Sequence, residues 1–205
     1  MAAPPPLPAA SVLPALLVID MQNGFLHPDG SVSRNGEPML EVERVVAETV
    51  QLVAEARSAG LPVIYTQHVF RPDYMDLPRR LKARDQFDQG EVTLVAGSRD
   101  AAVADELKPL ESDLVVEKNR FDAFLYTDLE LVLRTLGIGR LLVCGVATNV
   151  CVESTVRSAE QRDFEVTVAS DCTSGPAEYH YAALAAMAYI AADVVPWHAG
   201  LTTLA

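Results

Sequence analysis

Length, composition and charge set the first limits on this chain. It has 205 residues, 50% hydrophobic and 21% charged, which is enough for one large domain to bury an ample core. The formal net charge of −12 argues against nucleic acid or an anionic membrane as a partner. Three cysteines, an odd number, do not suggest a disulfide framework, so a reducing, cytoplasmic compartment is the simplest expectation.

Strands and helices alternate along the chain behind an Ala- and Pro-rich stretch. We expect a disordered tail at residues 1–13 and a single domain at 14–205. Apolar runs predict strands at 15–19, 61–68, 114–118, 141–145, 164–169 and 193–195. Helical spacing predicts helices at 41–59, 101–107, 129–136, from about 151, and at 177–191. The alternation predicts an α/β fold with a mostly parallel sheet and helices on both faces.

Two stretches lack a clear helical or strand periodicity of apolar residues. Residues 21–38, rich in Gly, Pro and Asn, predict a loop. Residues 69–100 are charged and contain Pro72 and Pro78, which predicts a flap or functional loop that sets substrate specificity. Within this stretch the basic cluster at 79–84 is typical of a solvated helix face. We expect Cys144 in a strand and Cys172 in a loop, both as packing residues.

Cys151 follows a strand-to-helix turn. An apolar strand stops at Gly145, and an amphipathic helix begins shortly afterwards, with Thr148 or Asn149 as its expected N-cap. Cys151 then lies in the first turn, where unpaired N–H groups and the helix dipole favour a thiolate and can bind an oxyanion. A small buried thiol that fills space is the alternative.

Two charged residues end other predicted strands. Asp20 ends the first strand and Lys118 ends the third. Sites in parallel sheets form outside the carboxyl ends of the strands, so both residues can meet Cys151. In that case Asp20 accepts the thiol proton, Lys118 stabilises the thiolate and the oxyanion, and the sulfur attacks a carbonyl. A partly buried structural ion pair is the alternative.

Three motifs carry a resemblance that covers nearly the whole domain. They are Leu17–Asn23, Glu117–Asp122 and Gly145–Thr155. Together they resemble the isochorismatase-like cysteine hydrolases. The resemblance implies a three-layer α/β/α, Rossmann-like fold with about six parallel strands, an Asp–Lys–Cys triad at Asp20, Lys118 and Cys151, and a homodimer or homotetramer.

The resemblance also implies a cis peptide bond between Val146 and Ala147. In this reading the N–H groups of Ala147 and Cys151 form the oxyanion hole. Further residues are candidate substrate contacts: Gln22, Asn23, Phe25, His68, Arg120, Phe121 and Asn149. The alternatives are backbone contacts for Gln22 and Asn23, a surface salt bridge for the arginine, and ordinary packing for the rings.

Sequence differences from two branches of this family make some of its reactions less expected for this chain. True isochorismatases hydrolyse a vinyl ether and generally lack the cysteine. Nicotinamidases carry a metal-binding Asp-x-His pattern after the second strand, where this chain reads Gln67–Phe70, so we expect no metal and no cofactor. The remaining resemblance is to amidases of ureido and carbamoyl compounds. It implies a metal-independent cysteine amidohydrolase that forms a thioester with a small amide. The alternatives are a nicotinamide-type amide, an isochorismate-type vinyl ether, and a non-catalytic scaffold.

Overall fold

A parallel six-stranded sheet forms the centre of the computed structural model, which describes residues 12–35, 39–82 and 93–204. The strands are β1 (Leu13–Ile19), β2 (Val63–His68), β3 (Leu114–Lys118), β4 (Ile138–Val146), β5 (Glu165–Ser174) and β6 (Asp193–Val195). Their order across the sheet is β3-β2-β1-β4-β5-β6, and every pairing is parallel. The predicted α/β fold class is confirmed.

Helices cover both faces of the sheet. They are α1 (Asn23–Leu26), α2 (Ser31–Asn35), α3 (Val42–Ser58), α4 (Arg79–Lys82), α5 (Leu129–Thr135), α6 (Glu153–Glu160), α7 (Ala177–Ile190) and α8 (Trp197–Leu204). A 3₁₀ turn spans Asp105–Leu107, and a π-helical turn at Thr148–Val152 runs directly into α6. None of the described helices is long and apolar enough to cross a bilayer.

Strand β1 shows why the sheet has two cores. Its residues from Ala15 to Ile19 are fully buried, as expected for a central strand with apolar faces on both sides. Side chains alternate between the faces. Leu16 and Val18 pack in the core that includes residues of α3 and α8, whereas Leu17 and Ile19 pack in the core built with α5, α6 and α7.

The strand order creates a topological switch point between β1 and β4. From β1 the chain continues to β2 and β3 on one side, and from β4 to β5 and β6 on the other. A crevice opens at such a point outside the carboxyl ends of the two central strands. Asp20 directly follows β1, and the turn that leads to Cys151 directly follows β4.

Several predicted boundaries were wrong. The expected tail 1–13 falls mostly outside the described residues, and Leu13 already belongs to β1. The predicted loop at 21–38 contains α1 and α2, and the predicted helix at 101–107 is only the 3₁₀ turn. Cys172 lies within β5 and not in a loop, because β5 pairs with β4 again after a register shift and continues to Ser174.

Candidate active site

Asp20 is a fully buried carboxylate with a partner for each oxygen. The Thr66 hydroxyl donates to Oδ1 at 2.6 Å, and Lys118 Nζ lies 2.6 Å from Oδ2. The backbone φ of Asp20 is 51°, in the left-handed region that few non-glycine residues adopt. Such conformations cluster at functional sites, and a buried charge persists only when it is paired.

Lys118 reaches Asp20 past the end of β2, which lies between β3 and β1 in the sheet. Its ammonium also donates to the Arg120 carbonyl at 3.0 Å and lies 3.4 Å from His68 Nδ1. Burial by itself lowers the pKa of Lys118, but the charge of the adjacent Asp20 carboxylate outweighs it and raises that pKa above its ordinary value. The group is therefore a fixed cation at neutral pH.

Cys151 lies in the π-helical turn, opposite this ion pair. Its Sγ is 3.9 Å from His68 Nδ1 and within 4.8 Å of an Asp20 carboxylate oxygen. Burial raises the pKa of the Cys151 thiol, and the opposing effect of Lys118 does not cancel it. The resting sulfur is therefore a protonated thiol, because burial opposes the thiolate that Lys118 and the helix end favour.

The turn before Cys151 differs from the predicted helix start. The helical segment begins at Thr148 with Ala147 at the N-cap position and no side-chain cap, so the predicted cap at Thr148 or Asn149 was wrong. The Val146–Ala147 peptide bond is cis. The Thr148 hydroxyl instead lies 2.8 Å from Nδ1 of His180, a buried residue of α7. Single π turns inside helices are frequent at functional sites.

A cavity of about 360 Å³ opens over the cysteine. Its described lining is Phe25, Val32, Met39, His68, Phe70, Pro78, Arg80, Leu81, Thr93, Leu94, Phe121, Ala147, Asn149, Val150, Cys151 and Pro176. Most of these side chains are apolar, which is typical of a pocket for a small molecule. Five predicted substrate or oxyanion residues besides Cys151 are in this set: Phe25, His68, Phe121, Ala147 and Asn149.

Three other predicted substrate contacts, Gln22, Asn23 and Arg120, make hydrogen bonds to the backbone. The Gln22 amide donates to the carbonyls of His68 and Ala101 at 2.9 and 2.7 Å, and its oxygen accepts from the His68 N–H at 2.7 Å. Asn23 donates to a carbonyl at 3.0 Å. Arg120 donates through Nη1 to two backbone carbonyls, at 2.9 and 2.6 Å, and its predicted role as a clamp for a substrate carboxylate stays a prediction.

Sequence reasoning missed Thr66 and Arg80. Thr66 pairs with Ile19 across β1 and β2, which brings its hydroxyl to the residue after Ile19. In the sequence, Thr66 could have been recognised as a polar residue near the end of an otherwise apolar strand. Arg80 lies on α4 at the cavity, and both Arg79 and Arg80 are exposed; the rest of the predicted basic cluster falls largely outside the described residues.

Asp20, His68 and Cys151 also offer one possible metal ligand each, with all three atoms within 4.8 Å of one another. However, the Lys118 ammonium lies 2.6 Å from the Asp20 oxygen and 3.4 Å from the His68 nitrogen. A metal cation bound there would be close to a fixed positive charge, which opposes binding. Metal independence stays a prediction.

A cysteine beside a buried aspartate–lysine pair, at the switch point of a parallel α/β sheet, defines a protein of the cysteine hydrolase class. A family model described as the isochorismatase domain matches residues 14–199. The chain belongs to the isochorismatase family, as the three sequence motifs predicted.

Relatives and solved structures agree with this assignment. The chain is 35% identical over 197 residues to ureidoacrylate amidohydrolase RutB of Methylobacterium radiotolerans, covering 90% of this chain and 76% of the relative. A cysteine hydrolase from Pseudomonas syringae pv. phaseolicola has a TM-score of 0.84 at 28% identity, covering 100% of this chain and 98% of that one. N-carbamoylsarcosine amidase from Thermoplasma acidophilum has a TM-score of 0.73 at 26% identity, covering 90% and 96%.

Proposed function

We propose that this protein is a metal-independent cysteine amidohydrolase that cleaves a small carbamoyl or ureido compound. The observation that carries the proposal is the meeting of Cys151 with the buried Asp20–Lys118 pair at one small cavity. The named activities of the relatives, a ureidoacrylate amidohydrolase and an N-carbamoylsarcosine amidase, support the substrate class.

Acylation begins with the protonated thiol. As Sγ of Cys151 bonds to the substrate carbonyl carbon, its proton passes to the Asp20 carboxylate, which lies within 4.8 Å. The Lys118 ammonium stabilises negative charge on the sulfur while the proton moves. The carbon–nitrogen bond then breaks, and Asp20 returns the proton to the leaving nitrogen.

Deacylation uses the same groups in reverse. Asp20 takes a proton from a water molecule whose oxygen attacks the thioester carbonyl. The carbon–sulfur bond breaks, and the proton returns to the Cys151 sulfur. We propose that the N–H groups of Ala147 and Cys151 bind the carbonyl oxygen in both steps, because donors of that kind are most effective where charge develops. Ala147 and Cys151 both line the cavity.

The side chain of Asn149 is suited to bind the carbamoyl group of a substrate, because its oxygen lacks a hydrogen-bond donor within the described part of the chain. Its side-chain oxygen is buried and has no hydrogen-bond partner among the described residues, although Asn149 lines the cavity. A buried acceptor without a partner is costly. The N–H groups of a carbamoyl or ureido substrate can supply the missing donor.

A non-catalytic scaffold is the second candidate, and the buried ion pair argues against it. Burying Asp20 and Lys118 beside Cys151 costs desolvation that a scaffold has no reason to retain. A homodimer or homotetramer in a cytoplasmic compartment remains our expectation for the assembly. Light scattering of the purified protein measures the assembly directly.

Ammonia release tests the function. Purified protein is incubated with N-carbamoylglycine, N-carbamoylsarcosine, 3-ureidopropionate and nicotinamide, and Cys151→Ala serves as the control. We expect ammonia from at least one carbamoyl compound, none with the variant, and a mass increase on the Cys151 peptide after acid quenching. Preference for nicotinamide, or an unmodified Cys151 during turnover, contradicts the proposal.

A further inference from the structure

His68 is a buried histidine with no place in the acid–base steps above. It is the last residue of β2, is 3% exposed, and lines the cavity. Its Nδ1 lies 3.4 Å from the Lys118 ammonium, 3.9 Å from Cys151 Sγ and 3.9 Å from Asp20 Oδ2. One ring nitrogen therefore faces the whole catalytic group.

These neighbours determine which ring nitrogen carries the proton. An ammonium has only N–H donors, so a nitrogen beside it must accept. A proton on Nδ1 would point at the Lys118 cation, and the Asp20 Oδ2 atom, at 3.9 Å, lies beyond hydrogen-bond length. The Cys151 sulfur, also at 3.9 Å, is only a weak acceptor as a thiol but can donate its S–H to Nδ1. Nδ1 is therefore the acceptor, and the proton of the neutral ring is on Nε2.

The charge state of His68 excludes it as the base. Burial, reinforced by the Lys118 charge, lowers the pKa of His68 to about 3. The ring is therefore neutral at physiological pH, and a second positive charge on it, buried beside the Lys118 ammonium, is unfavourable.

The Nε2 side of the ring lacks a partner. Nε2 is buried and makes no hydrogen bond with any described residue. Phe70 and Phe121 hold the ring, with centroids at 4.9 and 5.9 Å, and both also line the cavity. A donor buried without an acceptor is costly unless a ligand supplies one.

We propose that His68, as a neutral hydrogen-bond donor, binds through Nε2 a second oxygen acceptor of the substrate, a carboxylate or carbonyl next to the scissile group. The inference rests on the proposed amidohydrolase function and specifies its substrate class: a carbamoyl compound with an adjacent oxygen acceptor. His68 is then a substrate-binding residue that discriminates such compounds from simple alkylureas, because the latter leave the N–H unpaired.

A pair of substrates and a pair of variants test the inference. N-carbamoylglycine carries the adjacent carboxylate, and ethylurea has similar size without it. His68→Leu removes the donor and is expected to lower kcat/KM for N-carbamoylglycine by about 10- to 100-fold, with ethylurea changed by less than about threefold. His68→Gln keeps an N–H donor and is expected to recover much of the loss. His27→Gln, at a half-exposed histidine away from the cavity, is the matched control and is expected to have no effect.

Equal losses for both substrates in His68→Leu would overturn the inference, since they indicate a structural role. Nitrogen-15 NMR of the histidine rings in Cys151→Ala gives an independent measurement. We expect the Nε2–H tautomer between pH 5 and 8, and a downfield shift of that proton when N-carbamoylglycine is added. A proton on Nδ1 would also overturn it. If the wild-type enzyme hydrolyses no carbamoyl compound, the proposed function fails, while the NMR result still decides the state of His68.

Discussion

The three cysteines of the chain are all buried and free, yet their surroundings differ. Cys144 on β4 and Cys172 on β5 pack in the core that faces α3 and α8, whereas Cys151 packs in the other core and lines the cavity. Burial raises the pKa of all three thiols. The resting pKa of the sulfur therefore does not identify the nucleophile here. A nearby proton acceptor, a fixed cation and access for a substrate do.

Removing each cysteine in turn tests that distinction most strongly. Cys151→Ala is expected to lower kcat by at least about 10⁴-fold, because the covalent route is lost. Cys144→Ala and Cys172→Ala are the matched controls. Both should keep kcat within a few-fold and lose about 1 kcal/mol of unfolding free energy from the space they leave. Ammonia release and thermal unfolding measure the two effects, and an active Cys151→Ala would refute the comparison.

Asp20 is the proton acceptor beside Cys151. Asp20→Asn preserves the size of the side chain and removes the base, so acylation is expected to slow by roughly 10²- to 10⁴-fold. Thr66→Val is the control, since it removes the hydroxyl that donates to Oδ1 and accepts from the Asp20 N–H, and leaves the carboxylate. Rapid-quench measurement of the acyl-enzyme separates this step from deacylation. An equal loss in both variants would indicate that Asp20 acts only through its packing.

Lys118 supplies the fixed cation, and alkylation reports its effect. In native protein we expect iodoacetamide to modify Cys151 well before Cys144 and Cys172, since only Cys151 lines the cavity. Lys118 lowers the pKa of Cys151 against the effect of burial, so Lys118→Met should move the pH profile of alkylation to higher pH. Labelling at a fixed pH should then slow by about tenfold for each pH unit that the profile moves.

Peptide mapping of the alkylated protein identifies which cysteine reacted. Coincident pH profiles for the wild type and Lys118→Met, together with unchanged turnover, would mean that Lys118 is only a structural partner of Asp20. Labelling of Cys144 or Cys172 first, with activity retained, would remove Cys151 as the nucleophile.

His68, which lies beside Cys151, is also expected to make the stability of the protein depend on pH in acid. Its pKa of about 3 lies below the value near 6.5 of an unfolded histidine, so between these pH values the unfolded chain binds a proton that the native one does not. Stability should therefore fall by up to about 1.4 kcal/mol per pH unit as the pH drops through this window. His68→Gln should lose that contribution, and urea unfolding at pH 7, 5.5 and 4.5 measures the difference. Parallel pH dependences in the two proteins would be inconsistent with a buried neutral ring.

Chelation is expected to have no effect. Asp20, His68 and Cys151 share a possible ligand geometry, but the Lys118 cation occupies their neighbourhood. Exhaustive treatment with EDTA should leave kcat unchanged, with a known zinc hydrolase as the positive control. Loss of activity that zinc or manganese restores would show that Cys151 differs from the other cysteines as a metal ligand and not as a nucleophile.

The sequence predicted the meeting of Asp20, Lys118 and Cys151 because each follows or ends a parallel strand, and the ends of such strands share one edge. The sequence did not predict the hydrogen-bond partners of Gln22 and Arg120. Gln22 contacts residues 46 and 79 positions away, and Arg120 contacts a carbonyl 44 positions away. Those partners depend on how the loops pack, which local patterns do not encode.

The sequence also failed to predict the full length of β5 and the C-terminal helix α8. For β5 the reason is again a contact between residues far apart in the chain. The apolar pattern of β5 fades after Ala169, yet the strand continues because Gly145 and Val146 of β4 pair with Thr173 and Ser174. Long-range pairing extended the strand against its local composition. The π turn at Cys151 likewise has no local signature that separates it from an ordinary helix start.

Gly145 shows how the spacing of this site depends on a residue that takes no part in the chemistry. It pairs with Ile19 in the sheet, its φ is +124°, and an added Cβ would overlap the Ile19 carbonyl oxygen. The next residue after Ile19 is Asp20, and the turn after Gly145 leads to Cys151. Any side chain at this position would force apart the two strands that carry base and nucleophile. In directed evolution we therefore expect position 145 to tolerate no substitution, even in libraries selected for new substrates.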